Sequence, residues 1–196
     1  MEIAKRGAWP VTVQDSVSAI SVNGLRVEAI EKGRGRPLLF LHPGIGLDAN
    51  APVLDRLAER ARLIAPSHPG FGGSEQPKSF TTVDDLAYFY LDLLEALDLK
   101  DTAVVGVGLG GWIAAEMAVK STARLSHLVL ANAVGIKVGA RDTRDIADIF
   151  ALTDDEFLAI AYCDPKLGKH DYKALPDADV LAAARALCRS LPRGCR

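Results

Sequence analysis

The stretch Thr102 to Lys120, TAVVGVGLGGWIAAEMAVK, constrains this chain more than any other. Thr102–Val107 is small, apolar and partly β-branched, which reads as a strand buried in a sheet. Four glycines, Gly106, Gly108, Gly110 and Gly111, then make a hinge, and the residues after it read as a helix. Strand, sharp turn and helix together place one position at the carboxyl edge of a sheet, where α/β proteins bind their ligands. Two templates fit the hinge, and they carry different chemistry. In G-x-S-x-G a reactive side chain stands at the middle position. Gly106 and Gly110 flank that position correctly, but the residue between them is Gly108. In G-x-G-x-x-G, matched by Gly106, Gly108 and Gly111, the backbone approaches a dinucleotide pyrophosphate.

The remaining segments decide what kind of sheet the hinge belongs to. Ala19–Val22 and Leu25–Ile30, joined by Asn23-Gly24, read as a hairpin, because Asn-Gly suits the two left-handed positions of a tight turn. Leu38–Leu41 and Leu63–Ala65 are short apolar runs, as expected of strands covered on both faces. Leu128–Ala131 has the same character and is read as one more buried strand. Asn50 and Pro52 signal a helix start, with Val53, Leu54, Leu57, Ala58 and Ala61 on its inner face. Thr82 and Asp85 form a capping pattern ahead of Val83, Leu86, Ala87, Tyr90, Leu94 and Leu97, which repeat at helical spacing. After Asn132 the alternation stops. Asp142–Leu152 reads as a short amphipathic helix, Thr153 with Glu156 caps another, and Asp177 starts a third. Strands alternating with helices predict an α/β fold with a doubly wound, mostly parallel sheet. Residues 1–139 form the core domain in this reading, and residues 140–196 a helical region with a basic tail.

Composition excludes several classes of function. A net charge of −2 over 196 residues gives no electrostatic reason to bind nucleic acid or an anionic membrane. No segment reaches the roughly 20 apolar residues of a membrane span, and the N-terminus has no apolar run of signal-peptide length. The expected location is therefore cytoplasmic. Cys163, Cys188 and Cys195 lack metal-site spacing and are expected to be reduced thiols. No metal or cofactor motif is visible, so the expected partner is a small-molecule substrate or ligand, and the sequence does not specify an oligomeric state.

The dinucleotide template needs an acidic residue at the end of the strand after the glycines, to hold the ribose. Here that strand ends Leu130-Ala131-Asn132, without an acid, and several strands precede the glycines. The G-x-S-x-G template gains from two upstream loops. LLFLHPG (Leu38–Gly44), APSHPGFGGSEQP (Ala65–Pro77) and VVGVGLGGW (Val104–Trp112) occur in an order and spacing that resemble the α/β-hydrolase superfamily, from the hairpin to about Gly139. The resemblance implies a hydrolase of small esters, amides or C–C bonds, and a sheet of that type ending after the sixth strand, followed by the start of a helical lid. It also implies an oxyanion hole, with one N–H from Leu109 and the other from Gly44 or Ile45.

Against that family the chain departs at its chemistry. In the family it resembles the nucleophile is usually Ser, sometimes Cys or Asp, and Gly108 has no side chain at all. Glycine relieves the backbone strain of an elbow, so it suits the fold while removing the reaction. The acid and histidine of the family follow the lid. C-terminal to the elbow there are only His127, read as a packed strand residue, and His170, in a charged loop. His42 and His68 are read as hydrogen-bonding residues that order their loops, with His42 also a candidate for the substrate pocket. Asp154, Asp155, Asp177 and Asp179 read as helix-start charges. The tail Ala182–Arg196 has helical spacing and an unusual composition, with four arginines and no acid. It reads equally as a natural helix or as a truncated or frame-shifted reading up to Arg189, and more as the latter beyond it. An impaired or inactive hydrolase is the expected function, with a non-catalytic ligand-binding protein, or a dinucleotide binder, as alternatives.

Overall fold

The computed structural model describes residues 16–136, 139–143, 152–161 and 163–165. The expected helix Asp142–Leu152 falls largely outside them, as do the helix start at Asp177, His170 and the tail. Six strands form one sheet: β1 (Ser16–Val22), β2 (Leu25–Lys32), β3 (Pro37–Leu41), β4 (Arg62–Pro66), β5 (Thr102–Val107) and β6 (Leu125–Ala131). Their order across the sheet is β1-β2-β4-β3-β5-β6. The β1–β2 and β2–β4 pairs are antiparallel, and the rest are parallel. The expectation of a mostly parallel, doubly wound α/β sheet of six strands holds.

Local sequence explains most of the elements. Asn23 and Gly24 both have positive φ, 50° and 84°, so the β1–β2 turn twists with its strands and sets the register Val22 to Leu25. Helix α2 (Val83–Ala96) opens on the expected capping box, with Thr82 Oγ1 accepting the Asp85 N–H and the Asp85 carboxylate accepting the Thr82 N–H. Helix α4 (Asp154–Ala161) begins the same way, on Thr153 and Glu156. Helix α1 (Pro52–Ala58) corrects one detail. Pro52 occupies its first turn, but the N-cap is Ala51, which offers no side-chain hydrogen bond. Asn50 instead turns back toward Asp48. Val53 faces solvent, whereas Leu54 and Ala58 are buried; the inner stripe at 54, 57/58 and 61 leaves position 53 to one side.

Both faces of the sheet carry a core. On one, α2 and α3 (Leu109–Lys120) cover Leu39, Leu41, Ile64 and Val104 with Tyr90, Leu93, Leu94, Ile113 and Met117. On the other, α1 covers Leu38, Phe40, Leu63 and Ala65 with Leu54 and Ala58. Helix α3 lies unusually close to the sheet. A Cβ on Gly110 would stand 2.1 Å from the Leu41 carbonyl oxygen, and one on Gly106 would stand 2.3 Å from the Gly110 carbonyl oxygen.

Strand β6 differs from its sequence reading. It is longer than Leu128–Ala131, and it is not buried: Leu128, Val129 and Leu130 are 39%, 50% and 39% exposed. His127 is exposed as well, not packed. Apolar content predicts a covered strand, but β6 is the edge of the described sheet, with α3 packed on it.

Two substitutions test these contacts. Thr82→Ala is expected to lower stability by about 1 kcal/mol in urea unfolding. Hydrogen bonding from the Thr81 N–H, followed by Thr82, holds the Asp85 carboxyl below its usual range. Its contribution is therefore full above the ordinary Asp pKa and is lost as pH falls through the lowered one. Gly110→Ala is expected to cost about 1–3 kcal/mol or more, because a methyl group driven into backbone has nowhere to move. A Gly110→Ala chain with an unchanged unfolding midpoint contradicts the close approach of α3.

Candidate functional site

The carboxyl ends of β3 and β5 lie side by side, with Leu41 opposite Gly106. Their two following loops therefore meet. The first is His42–Gly46, where the Gly46 N–H closes a turn on the Pro43 carbonyl at 3.1 Å. The second is the hinge itself. Gly108 forms the N-cap of α3 with φ 55° and ψ −115°, a conformation that costs a residue with a side chain about 1–3 kcal/mol. A Cβ on Gly108 would point at Pro43, 3.3 Å from its Cβ. The middle position of the hinge is thus aimed at the β3 loop.

Backbone hydrogen bonds hold the hinge in that shape. The Gly108 N–H donates to the Ala131 carbonyl at the end of β6. The Gly108 carbonyl accepts from Gly111, Trp112 and Val134, and the Gly110 N–H donates to the His42 carbonyl at 3.2 Å. These bonds bear on the dinucleotide alternative. The N–H groups of Gly108, Gly110 and Gly111 are all committed inside the protein, so the loop does not present the row of donors that a pyrophosphate needs. The strand after it also ends in Asn132, with no acid to hold a ribose.

Three N–H groups at the meeting of the loops make no hydrogen bond among the described residues: Leu109, Gly44 and Ile45. Leu109 is the first residue of α3, whose N-terminal end carries partial positive charge. Gly44 is buried and Ile45 is 71% exposed. Donors from two loops beside one position can hold a negative charge as it develops on an oxygen.

The histidines are placed apart from that chemistry. His42 and His68 are both 0% exposed, with ring centroids 3.7 Å apart and Phe71 edge-on to both. His42 Nδ1 is 2.7 Å from the Pro43 carbonyl oxygen, and its Nε2 accepts the His68 N–H at 2.9 Å. His68 Nε2 is 2.9 Å from the His42 carbonyl oxygen, and its Nδ1 is 2.5 Å from the Tyr90 hydroxyl. Burial lowers the His42 pKa to about 4 against the partial opposition of the Pro43 contact, and burial together with His42 lowers that of His68. Both rings order their loops, and His42 presents no surface to a pocket. His127 sits opposite Ala103, four residues before Ala131, which places it about 13 Å down the strand from the hinge. In the sequence Tyr90 reads only as part of an apolar stripe; nothing in a helical repeat signals that its hydroxyl meets a histidine from the loop after β4.

No group of three metal-ligating side chains occurs among the described residues, and no described helix is long and apolar enough to cross a membrane. Cys163 is exposed and free.

A family model described as the alpha/beta hydrolase fold matches residues 36–167. The chain is 30% identical to a 2-hydroxymuconate semialdehyde hydrolase of Pseudomonas sp. strain CF600, over 86% of this chain and 71% of that one. It is 29% identical to a 2-hydroxy-6-oxo-2,4-heptadienoate hydrolase of Pseudomonas putida, over 64% of this chain and 48% of that one. Among solved structures, a mutant of the meta-cleavage product hydrolase CumD from Pseudomonas fluorescens IP01 superposes with a TM-score of 0.63 at 24% identity. It covers 90% of this chain and 64% of that one, a likeness of fold. With the sheet order, the hinge and the extent of the family match in agreement, the chain belongs to the α/β-hydrolase fold family.

Proposed function

We propose that this chain is an inactive or severely impaired member of a small-molecule hydrolase lineage, in which the donors for an oxyanion are kept and the nucleophile is not. Its bond class is ester, amide or C–C. The observation that carries the reading is Gly108, at the tip of the hinge with φ 55° and ψ −115° and no side chain. In acyl transfer, a side chain there attacks a carbonyl carbon, and the electron pair moves to the carbonyl oxygen. The Leu109 N–H and the N–H of Gly44 or Ile45 are the groups suited to receive that charge. Without a nucleophile no covalent intermediate forms, and only polarisation of a bound carbonyl is left. The names of the two Pseudomonas relatives favour a substrate with a conjugated keto-acid skeleton.

A base is also wanting at the hinge. Of the three described histidines, His42 and His68 are closed off, and His127 lies well down β6. No carboxylate is hydrogen-bonded to any of them among the described residues. Among the described residues, a serine at position 108 alone has no base placed to take its proton. The donors left without partners favour a second reading, a protein that binds carbonyl or carboxylate ligands without turning them over.

Release of p-nitrophenol from p-nitrophenyl acetate, and loss of 2-hydroxymuconate semialdehyde absorbance, test both readings. The expected rates equal the buffer rate for the native chain and for Gly108→Ser. Saturable turnover by the native chain overturns the proposal. A calorimetric binding isotherm for the semialdehyde, without turnover, selects the second reading.

A further inference from the structure

The buried polar side chains beneath the site form an ordered chain of donors and acceptors. The His68 backbone N–H can only donate, so His42 Nε2, its acceptor, is bare. A neutral His42 then carries its proton on Nδ1 and gives it to the Pro43 carbonyl. The His42 carbonyl can only accept, so His68 Nε2 is protonated. A neutral His68 is bare at Nδ1, which accepts the Tyr90 hydroxyl. Every proton is fixed by its neighbour, and the chain ends on two carbonyls that shape the site. Pro43 O also accepts the Gly46 N–H that closes the β3 loop, and His42 O also accepts the Gly110 N–H at the start of α3.

We propose that Tyr90, on α2, is a remote positioning residue for both loops of the site. The tautomers themselves are set by the His42 carbonyl and the His68 backbone N–H; the Tyr90 hydroxyl donates to the bare Nδ1 of His68 and holds in place the ring whose Nε2–H bonds that carbonyl. Through the two carbonyls, these rings set where Gly44, Ile45 and Gly110 lie. Tyr90 is 0% exposed, and its ring packs edge-on to Phe89 and to His68. Removing its hydroxyl therefore leaves the packing in place and removes the proton donor alone. The titratable groups facing His42 are His68 and, through it, Tyr90. Phe71 covers both rings, and no carboxylate or ammonium group bonds to the three side chains among the described residues.

That the β3 loop donates to an oxyanion rests on the function proposed above. The tautomer relay does not, so ester turnover and ring tautomers can fail independently. The test is nitrogen-15 NMR of the histidine rings in the full chain at pH 7. The native chain is expected to show Nδ1–H for His42 and Nε2–H for His68. In Tyr90→Phe His68 is expected to stay Nε2–H, while its Nδ1 signal shifts as the donor is lost. The amide signals of Gly44, Ile45, Gly46 and Gly110 are expected to move, while those of Asn23 and Gly24 in the hairpin stay. The opposite tautomer in either native ring, or Tyr90→Phe with unmoved loop amides, overturns the proposal. Should Tyr90→Phe not fold, the native tautomers and the His42 titration decide. That titration is expected near pH 4, and an ordinary midpoint of 6.5 refutes a closed, neutral relay. The sign for stability follows. The unfolded chain takes up the proton first, so the contribution of the neutral pair is full above about pH 6.5 and is lost as pH falls toward the folded value.

Discussion

The approach of α3 to the end of β3 is the constraint on which the site depends. Backbone meets backbone there, with the Gly110 N–H on the His42 carbonyl and no room for a Cβ against Leu41. This contact draws the hinge against the β3 loop. It leaves Gly108 in a left-handed conformation at the tip and brings Pro43 beside it. Gly106 and Gly110 are therefore required by packing, quite apart from any reaction. The residue between them is under the opposite rule. Its backbone is strained for a side chain, and its surroundings have room for one but for the contact with Pro43.

Beneath this contact the fold buries three polar side chains where apolar ones would pack more simply. Two imidazoles and a phenol taken out of water cost free energy unless each polar atom finds a partner. His42, His68 and Tyr90 satisfy one another and the backbone, and burial keeps both imidazoles neutral. Such a network is directional in a way that an apolar core is not. It ties α2 and the loops after β3 and β4 to one arrangement, where interchangeable methyl groups would permit several. The β3 loop is irregular backbone, and this directionality is what gives it a defined shape at the site.

Much of the architecture was legible because it is decided within a few residues. Asn23-Gly24 sets a hairpin through backbone torsions alone, and Thr82 with Asp85 caps a helix within one turn. The glycine spacing from Gly106 to Gly111 announced strand, hinge and helix. The misreadings have a common cause. Leu128–Ala131 is as apolar as Leu38–Leu41, but one strand is at the edge of the described sheet and the other is central, and composition does not record a neighbour. Asn50 is a good capping residue, yet Pro52 fixes the start so that Ala51 stands at the cap. Tyr90 has the spacing of a core residue, and only its partner on another loop makes its hydroxyl matter.

By itself the sequence determined the alternation of strands and helices, the order of the three glycine-bearing loops and the absence of a side chain at position 108. These are matters of local torsion, periodicity and residue identity, and they survive without a partner. Only the tertiary structure decided that the N–H groups of the hinge are committed inside the protein. It also decided that His42 and His68 face each other rather than solvent, and that β6 is open along one side among the described residues. Each of those depends on what a distant segment places against the residue in question. Burial, protonation and the satisfaction of a hydrogen bond belong to pairs of residues that the chain brings together only when it folds.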